Sequence, residues 1–310
     1  MLEVIDLTKR FKDKSVVKHM NIYLDRGETV GLLGPNGAGK STAISMISSL
    51  LLPTSGDVLL DGNSIVKDPA DLRNILGVVP QEIALYEELS AEENLVFFAR
   101  IHRLKGAELR RRVEEVLKVI GLEDRSKDIV KTFSGGMKRR LNIGVALLHN
   151  PEFIIMDEPT VGIDPQSRNY ILESVKKLNK EQNMTVLYTS HYMEEVEFLC
   201  DRIYIMDHGE IIASGTTDEL KKMLSSENTI VAKFEKQSPQ LEEELRNRKE
   251  ISSVSIQDHT MTIIAPKNVN LFSLLISLSE KWFVPITSIE QKNPTLEDVF
   301  LHLTGRVLRD

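Results

Sequence analysis

The chain has 310 residues, a formal net charge of −7, 41% hydrophobic residues and 27% charged residues. That balance gives no overall basic field for nucleic acid, and Cys200, the single cysteine, excludes an intramolecular disulfide and a Cys-based zinc site. The start Met1-Leu2-Glu3-Val4-Ile5-Asp6 lacks the basic and apolar runs of a signal peptide. No run of about 18 apolar residues predicts a membrane span, so a role at a membrane is expected to come through a partner.

In chain order, Glu28 to Leu33 reads as a buried strand, and Gly34-Pro35-Asn36-Gly37-Ala38-Gly39-Lys40-Ser41-Thr42 follows it. The latter fits G-x-x-x-x-G-K-[ST], the phosphate-binding loop. Its glycines let successive N–H groups turn inward onto phosphate oxygens. Lys40 is expected at the β- and γ-phosphates, and Ser41 on Mg²⁺. Ile44, Ile47, Leu50 and Leu51 recur at helical spacing until Pro53, which places a helix N-terminus against the anion. Leu76 to Val79 is a further strand candidate, and Gln81 comes after Pro80, where the core gives way to a helix-rich stretch at about 84–150.

Within that stretch, Ser90-Ala91-Glu92-Glu93 is a capping box. Leu109, Val113, Val116, Leu117 and Ile120 form one helical face, so Arg110-Arg111-Arg112 reads as solvated charge on the other, and Lys138-Arg139-Arg140 reads the same way. Ser134 can cap a helix opened by Gly135 and Gly136, a second N-terminus suited to phosphate. Phe153-Ile154-Ile155-Met156-Asp157-Glu158 is an apolar run ending in two acids, the pattern of a buried parallel strand whose end faces a ligand crevice. Asp157 there would hold Mg²⁺ through a water, and Glu158 would polarise the water that attacks the γ-phosphate. His191 closes the β-rich run Thr185 to Ser190, and Arg202 to Met206 is another strand candidate. Cys200 reads as a small buried apolar residue.

Together these motifs resemble an ABC transporter ATPase subunit over residues 1 to about 222. Ser134-Gly135-Gly136 matches the ABC signature, Gln81 the Q-loop, Gly162-Ile163-Asp164 the D-loop and His191 the switch histidine. Phe11 stands where the family's adenine-stacking aromatic stands, with Tyr23 the other nearby candidate. The resemblance implies an α/β phosphate-loop NTPase core with a helical subdomain that receives a permease helix. It also implies ATP and Mg²⁺ as cofactors, and a head-to-tail dimer in which each signature closes over the partner's ATP. Gln81 would sense Mg²⁺ and ATP, and His191 would bond the γ-phosphate. Two departures stand out: Met137 where the signature has Gln, and Val161-Gly162-Ile163-Asp164 where the D-loop begins Ser-Ala-Leu-Asp. Both resemble the exporter branch with a separate permease, which implies a place on the cytoplasmic face of the membrane and neither nucleic-acid binding nor direct membrane insertion. An importer ATPase is the alternative, then a soluble ABC ATPase or a non-hydrolysing regulator.

Residues 1–224 are thus expected to form the nucleotide-binding domain and 228–310 an accessory domain. Ser225-Ser226-Glu227-Asn228 reads as the linker. Strands at Thr229 to Phe234, Ile251 to Ile256, Met261 to Ala265 and Ile286 to Ile289 alternate with helices at Pro239 to Arg248 and Val269 to Trp282. The order β-α-β-β-α-β fits a small α+β ferredoxin-like domain. A short helix is expected to end the stretch Asn293 to Phe300. No catalytic cluster is visible in this part, which reads as a dimer-supporting or regulatory appendage.

Overall fold

The computed structural model describes residues 1–224, 227–292 and 294–305. It divides into two compact units, the first closing at Thr216 and the second beginning at Thr217.

The first unit opens with a hairpin, β1 (Leu2–Phe11) and β2 (Lys14–Leu24), followed by β3 (Thr29–Leu33) and helix α1 (Lys40–Ile47). Next come β4 (Ser55–Leu60), β5 (Asn63–Ser64), α2 (Ala70–Ile75) and β6 (Leu76–Val79). The helices α3 (Ala91–Ile101), α4 (Gly106–Val119) and α5 (Gly135–Leu147) fill the stretch before β7 (Phe153–Asp157). Then follow α6 (Pro165–Gln182), β8 (Thr185–Thr189), α7 (Met193–Leu199), β9 (Arg202–Asp207) and β10 (Glu210–Gly215).

The main sheet has the order β10-β9-β3-β8-β7-β6, parallel except for the edge strand β10. β3 and β8 are buried at every residue, which their continuous apolar runs require of strands covered on both faces. Because β3, β6, β7 and β8 run the same way, their C-terminal ends share one edge. The phosphate loop, Gln81, Asp157-Glu158 and His191 each follow one of those ends. An antiparallel sheet of order β2-β1-β4-β5 packs beside it, and the sequence reading did not anticipate this sheet. Its alternation is broken by register shifts in β1 and by positive φ at Asp6 (50°) and His19 (47°), so no clean period of two survives.

α1 stops at Ile47, short of the predicted Leu51. Ser49 turns to φ 58°, and the N–H groups of Leu50 and Leu51 both donate to the Ser45 carbonyl, at 2.8 and 2.9 Å. This left-handed closure leaves Leu50 76% exposed. The capping box forms as expected: Glu93 N–H donates to Ser90 Oγ and Ser90 N–H to Glu93 Oε2. Leu109, Val113, Val116, Leu117 and Ile120 are all buried.

The second unit begins with α8 (Thr217–Met223), which packs against the final helix rather than extending the first unit. The boundary therefore falls ahead of residue 224. Ser225 and Ser226 of the expected linker lie outside the described residues. Glu227 and Asn228 are not linker but open β11 (Glu227–Phe234), where Asn228 pairs with Ala265. α9 (Pro239–Arg246), β12 (Ser253–Gln257), β13 (Thr260–Pro266), α10 (Leu271–Trp282), β14 (Ile286–Lys292) and α11 (Leu296–Thr304) follow. The antiparallel order β12-β13-β11-β14 is the ferredoxin-like arrangement. Ile230 and Phe234 bury against Leu241, Leu275 and Leu278, each worth roughly 1.5–3 kcal/mol relative to exposure. α11 opens with a second capping box, Thr295 with Asp298. No helix among the described residues is long and apolar enough to cross a membrane.

Candidate active site

The loop between β3 and α1 bends at Gly37 (φ 82°) and Gly39 (φ 109°), conformations an L side chain rarely adopts. α1 has no side-chain cap at its N-terminus, so its first N–H groups remain available to an anion. A Cβ on Gly37 would meet nothing within 4 Å, which leaves the mouth of the loop open. Ser41 is exposed at this mouth, and Lys40, 6% exposed, lies beneath it. The Lys40 ammonium donates to the carbonyls of Gly34 (2.7 Å) and Pro35 (3.3 Å) and stands 4.0 Å from Glu158 Oε1. Burial pushes its pKa below the ordinary lysine value, with Glu158 and Asp157 pulling the other way.

At the end of β7, Glu158 takes φ 48°, and its N–H donates to Thr189 Oγ1 at 2.9 Å. Thr189 in turn donates to Asp157 Oδ1 at 2.8 Å. One hydroxyl from β8 thus fixes both acids. The Glu158 carboxylate is buried, with His191 Nε2 at 2.7 Å from Oε1 and Gln81 Nε2 donating to Oε2 at 2.9 Å. Burial raises the pKa of Asp157. Glu158 goes the other way: burial opposes its ionisation, but the His191 hydrogen bond and the His191 and Lys40 charges outweigh that and lower it. The two adjacent acids thus shift in opposite directions, Asp157 up and Glu158 down.

The sequence assigned His191 to a γ-phosphate, whereas here its Nε2 lies on Glu158 and its Nδ1 is buried without a hydrogen-bond partner. Phe11, 48% exposed, ends β1 opposite Lys14. That end of the hairpin adjoins the loop, since a Cβ on Gly39 would fall 2.7 Å from the Val16 carbonyl oxygen. Tyr23 sits at the far end of β2, opposite Glu3, under the Arg202 guanidinium at 3.5 Å. Tyr23 therefore lies away from the hairpin end that adjoins the loop.

Ser134 caps α5, accepting from Met137 N–H at 3.2 Å, and Met137 packs its side chain against the core. The two signature glycines differ. A Cβ on Gly136 would lie 2.1 Å from Ser167 Oγ, so glycine is needed there for α5 to meet α6. On Gly135 it would meet nothing closer than the Gly162 carbonyl oxygen at 3.9 Å. Asp164, exposed, caps α6 by accepting from Ser167 N–H at 2.9 Å.

Two basic runs read as solvated require correction. Arg139 is buried and donates to the carbonyls of Pro80 (2.9 Å) and Gln81 (2.7 Å), clamping the segment that carries Gln81. Arg140 donates to the carbonyls of Ile120 and Gly121 and lies over Tyr170, while Lys138 pairs with Glu87. Arg112 folds onto the carbonyls of Leu147 and Leu148, beyond which α5 ends. Only Arg110 and Arg111 of the first run are exposed. A guanidinium seeks carbonyls as readily as water, and helical spacing alone does not reveal which it finds. The reading also missed Thr189, whose hydroxyl ends β8 beside the two acids.

A family model described as ABC transporter matches residues 17–161, and one described as ATP-binding protein DrrA1-3-like, C-terminal domain, matches residues 215–304. The linearmycin resistance ATP-binding protein LnrL of Bacillus subtilis is 47% identical over 312 residues, covering 100% of both chains. The daunorubicin resistance ATP-binding protein DrrA3 of Streptomyces coeruleorubidus is 35% identical over 96% of this chain and 93% of its own length. Among solved structures, the ATP-binding cassette MJ0796, dimeric in a post-hydrolysis state bound to ADP and Pi, aligns with TM-score 0.63. It is 32% identical and covers 70% of this chain and 98% of its own. With both units matched and one relative aligned end to end, the chain belongs to the ABC transporter ATP-binding family, as an ATP-hydrolysing subunit with a DrrA-like C-terminal domain.

Proposed function

We propose that the chain powers export through a separate membrane permease, working at the cytoplasmic face of the membrane as a head-to-tail dimer that closes on ATP. The observation that carries this reading is the buried cluster in which Glu158 meets His191 at 2.7 Å, Gln81 at 2.9 Å and Lys40 at 4.0 Å. The loop from Gly34 to Thr42 and the Lys40 ammonium hold the phosphates, and Phe11 stacks on the adenine. Glu158, ionised near neutral pH, draws a proton from a water as its oxygen bonds to the γ-phosphorus and the bond to the ADP oxygen breaks. His191 keeps the carboxylate aimed and can turn its ring to the γ-phosphate.

Gln81 donates through Nε2 and so keeps an oxygen for a cation. Ser41, Gln81 and Asp157 therefore form an all-oxygen donor set suited to Mg²⁺, which when bound neutralises charge on the phosphate oxygens. Ser134 and the amides of Gly135 and Gly136 close over the partner's nucleotide, and Asp164 borders that interface. The open space at Gly135 supports an approach from outside the chain. Tyr86 and Phe97, exposed and edge to face at 4.8 Å, together with the exposed Ile83 and Ile101, suit the permease helix. Export over import is supported by the relatives named for linearmycin and daunorubicin resistance.

Glu158→Gln tests the mechanism. ATP should bind at least as tightly, while turnover falls about 10²-fold or more, the scale for losing a general base. The ATP-bound dimer should accumulate on size exclusion. Near-normal turnover would remove Glu158 from the mechanism.

A further inference from the structure

Glu195, on α7, is 2% exposed, and none of the roles above uses it. Its Oε2 accepts three hydroxyl bonds, from Thr160 Oγ1 (2.8 Å), Tyr188 OH (2.8 Å) and Ser190 Oγ (2.7 Å). Its Oε1 faces Arg168 Nε at 3.4 Å. Thr160 closely follows Glu158, Ser190 immediately precedes His191, and Arg168 stands in the turn of α6 that follows Asp164. Ser190 Oγ also accepts from Tyr192 N–H at 2.9 Å, and the Tyr192 ring lies 4.0 Å from the Arg168 guanidinium. Contacts therefore run from Glu195 to Ser190, on to Tyr192, then to Arg168 and back. This closed ring includes both neighbours of His191, Ser190 and Tyr192.

A buried carboxylate is tolerated only while its partners stay in place, because losing one leaves uncompensated charge in a low-dielectric interior. The groups of the ring should therefore move together or not at all. We propose that Glu195 is a positioning residue that holds the His191 turn in register with helix α6, through Ser190 and Arg168. A displacement of the Asp164 end of α6 then reaches His191 and, through the 2.7 Å His191 contact, Glu158. This rests on the reading that Glu158 and His191 act in hydrolysis. Glu195 touches neither the phosphate loop nor Lys40, so its influence should fall on turnover and spare nucleotide affinity.

The test is a cycle on the full-length chain with Glu195→Gln, His191→Ala and the double variant, measuring ATP affinity, steady-state constants and single-turnover rate. Glu195→Gln should lower kcat about tenfold or more, the scale for misplacing a catalytic group. KM should stay within about threefold, the pattern of an interaction made in the transition state. In the His191→Ala background the same substitution should change the single-turnover rate less than about twofold, since residues acting through one another are non-additive. Equal losses in both backgrounds would mean that Glu195 supports only the fold, and would overturn the proposal. Wild-type kcat in Glu195→Gln with an impaired His191→Ala would overturn the proposal alone. Full activity in His191→Ala would remove the hydrolytic reading beneath it. Should Glu195→Gln unfold the chain, Ser190→Ala, which deletes one hydroxyl of the ring, carries the same cycle with the same outcomes.

Discussion

Acidification should loosen the base of the helical segment through His149. His149 Nε2 lies 3.0 Å from the Leu76 carbonyl oxygen on β6, and its ring stacks on His102 at 4.0 Å, with planes 5° apart. Burial, the neighbouring His102 and the Arg112 charge lower its pKa from 6.5 to about 4. A proton therefore binds the unfolded chain more tightly than the folded one. The stability contribution is intact above about pH 6.5 and declines as pH falls toward 4. A separation of that size corresponds to about 3 kcal/mol before solvent screening; because the imidazole is only partly buried, about 1 kcal/mol is lost by pH 5. For a unit of this size that is a drop in Tm of about 2–4 °C. The assay is thermal unfolding followed by circular dichroism at pH 7.5 and pH 5, on the wild type and on His149→Gln. Carboxylates and the histidines away from the stack titrate in both proteins, so the difference between the two pH-induced drops reports the coupled His149–His102 pair. The variant's drop should be smaller by that amount. Equal drops, within about 1 °C, would refute the assignment of a neutral, half-buried imidazole.

Gly136→Ala should separate the packing role of the signature from its nucleotide role. The new methyl would meet Ser167 Oγ at 2.1 Å, so Tm should fall by several degrees, consistent with about 1–3 kcal/mol of overpacking. The double variant Gly136→Ala/Ser167→Gly should recover most of it, and failure to recover would show that another contact is at fault. Lys40→Ala and Ser134→Arg subunits, each nearly inactive alone, should partly complement when mixed, because one of the two sites in the heterodimer joins an intact loop to an intact signature. A tethered wild-type and double-mutant dimer that is active beside an inactive mixture would refute the action of Ser134 across the interface.

What the sequence determined by itself was local or carried by short spacing. The phosphate loop is legible because its backbone turns at Gly37 and Gly39 favour glycine and its lysine follows at the motif's fixed offset. The strand Phe153 to Met156 is legible because an unbroken apolar run must be covered on both faces. The capping box at Ser90 and the β-α-β-β-α-β order of the second unit follow from chemistry within a few residues. Tertiary structure decided whatever depends on partners distant in the chain. Arg139 and Arg112 look like solvated charges until the fold brings the carbonyls of Pro80, Gln81, Leu147 and Leu148 to them. The antiparallel sheet escaped because its bulges erase the period of two. The buried ring around Glu195, and the bonds that set His191 and Gln81 on Glu158, exist only because parallel strands deliver their ends to one edge of the sheet. A carboxylate's neighbours in space, not its neighbours in sequence, set its charge and its task.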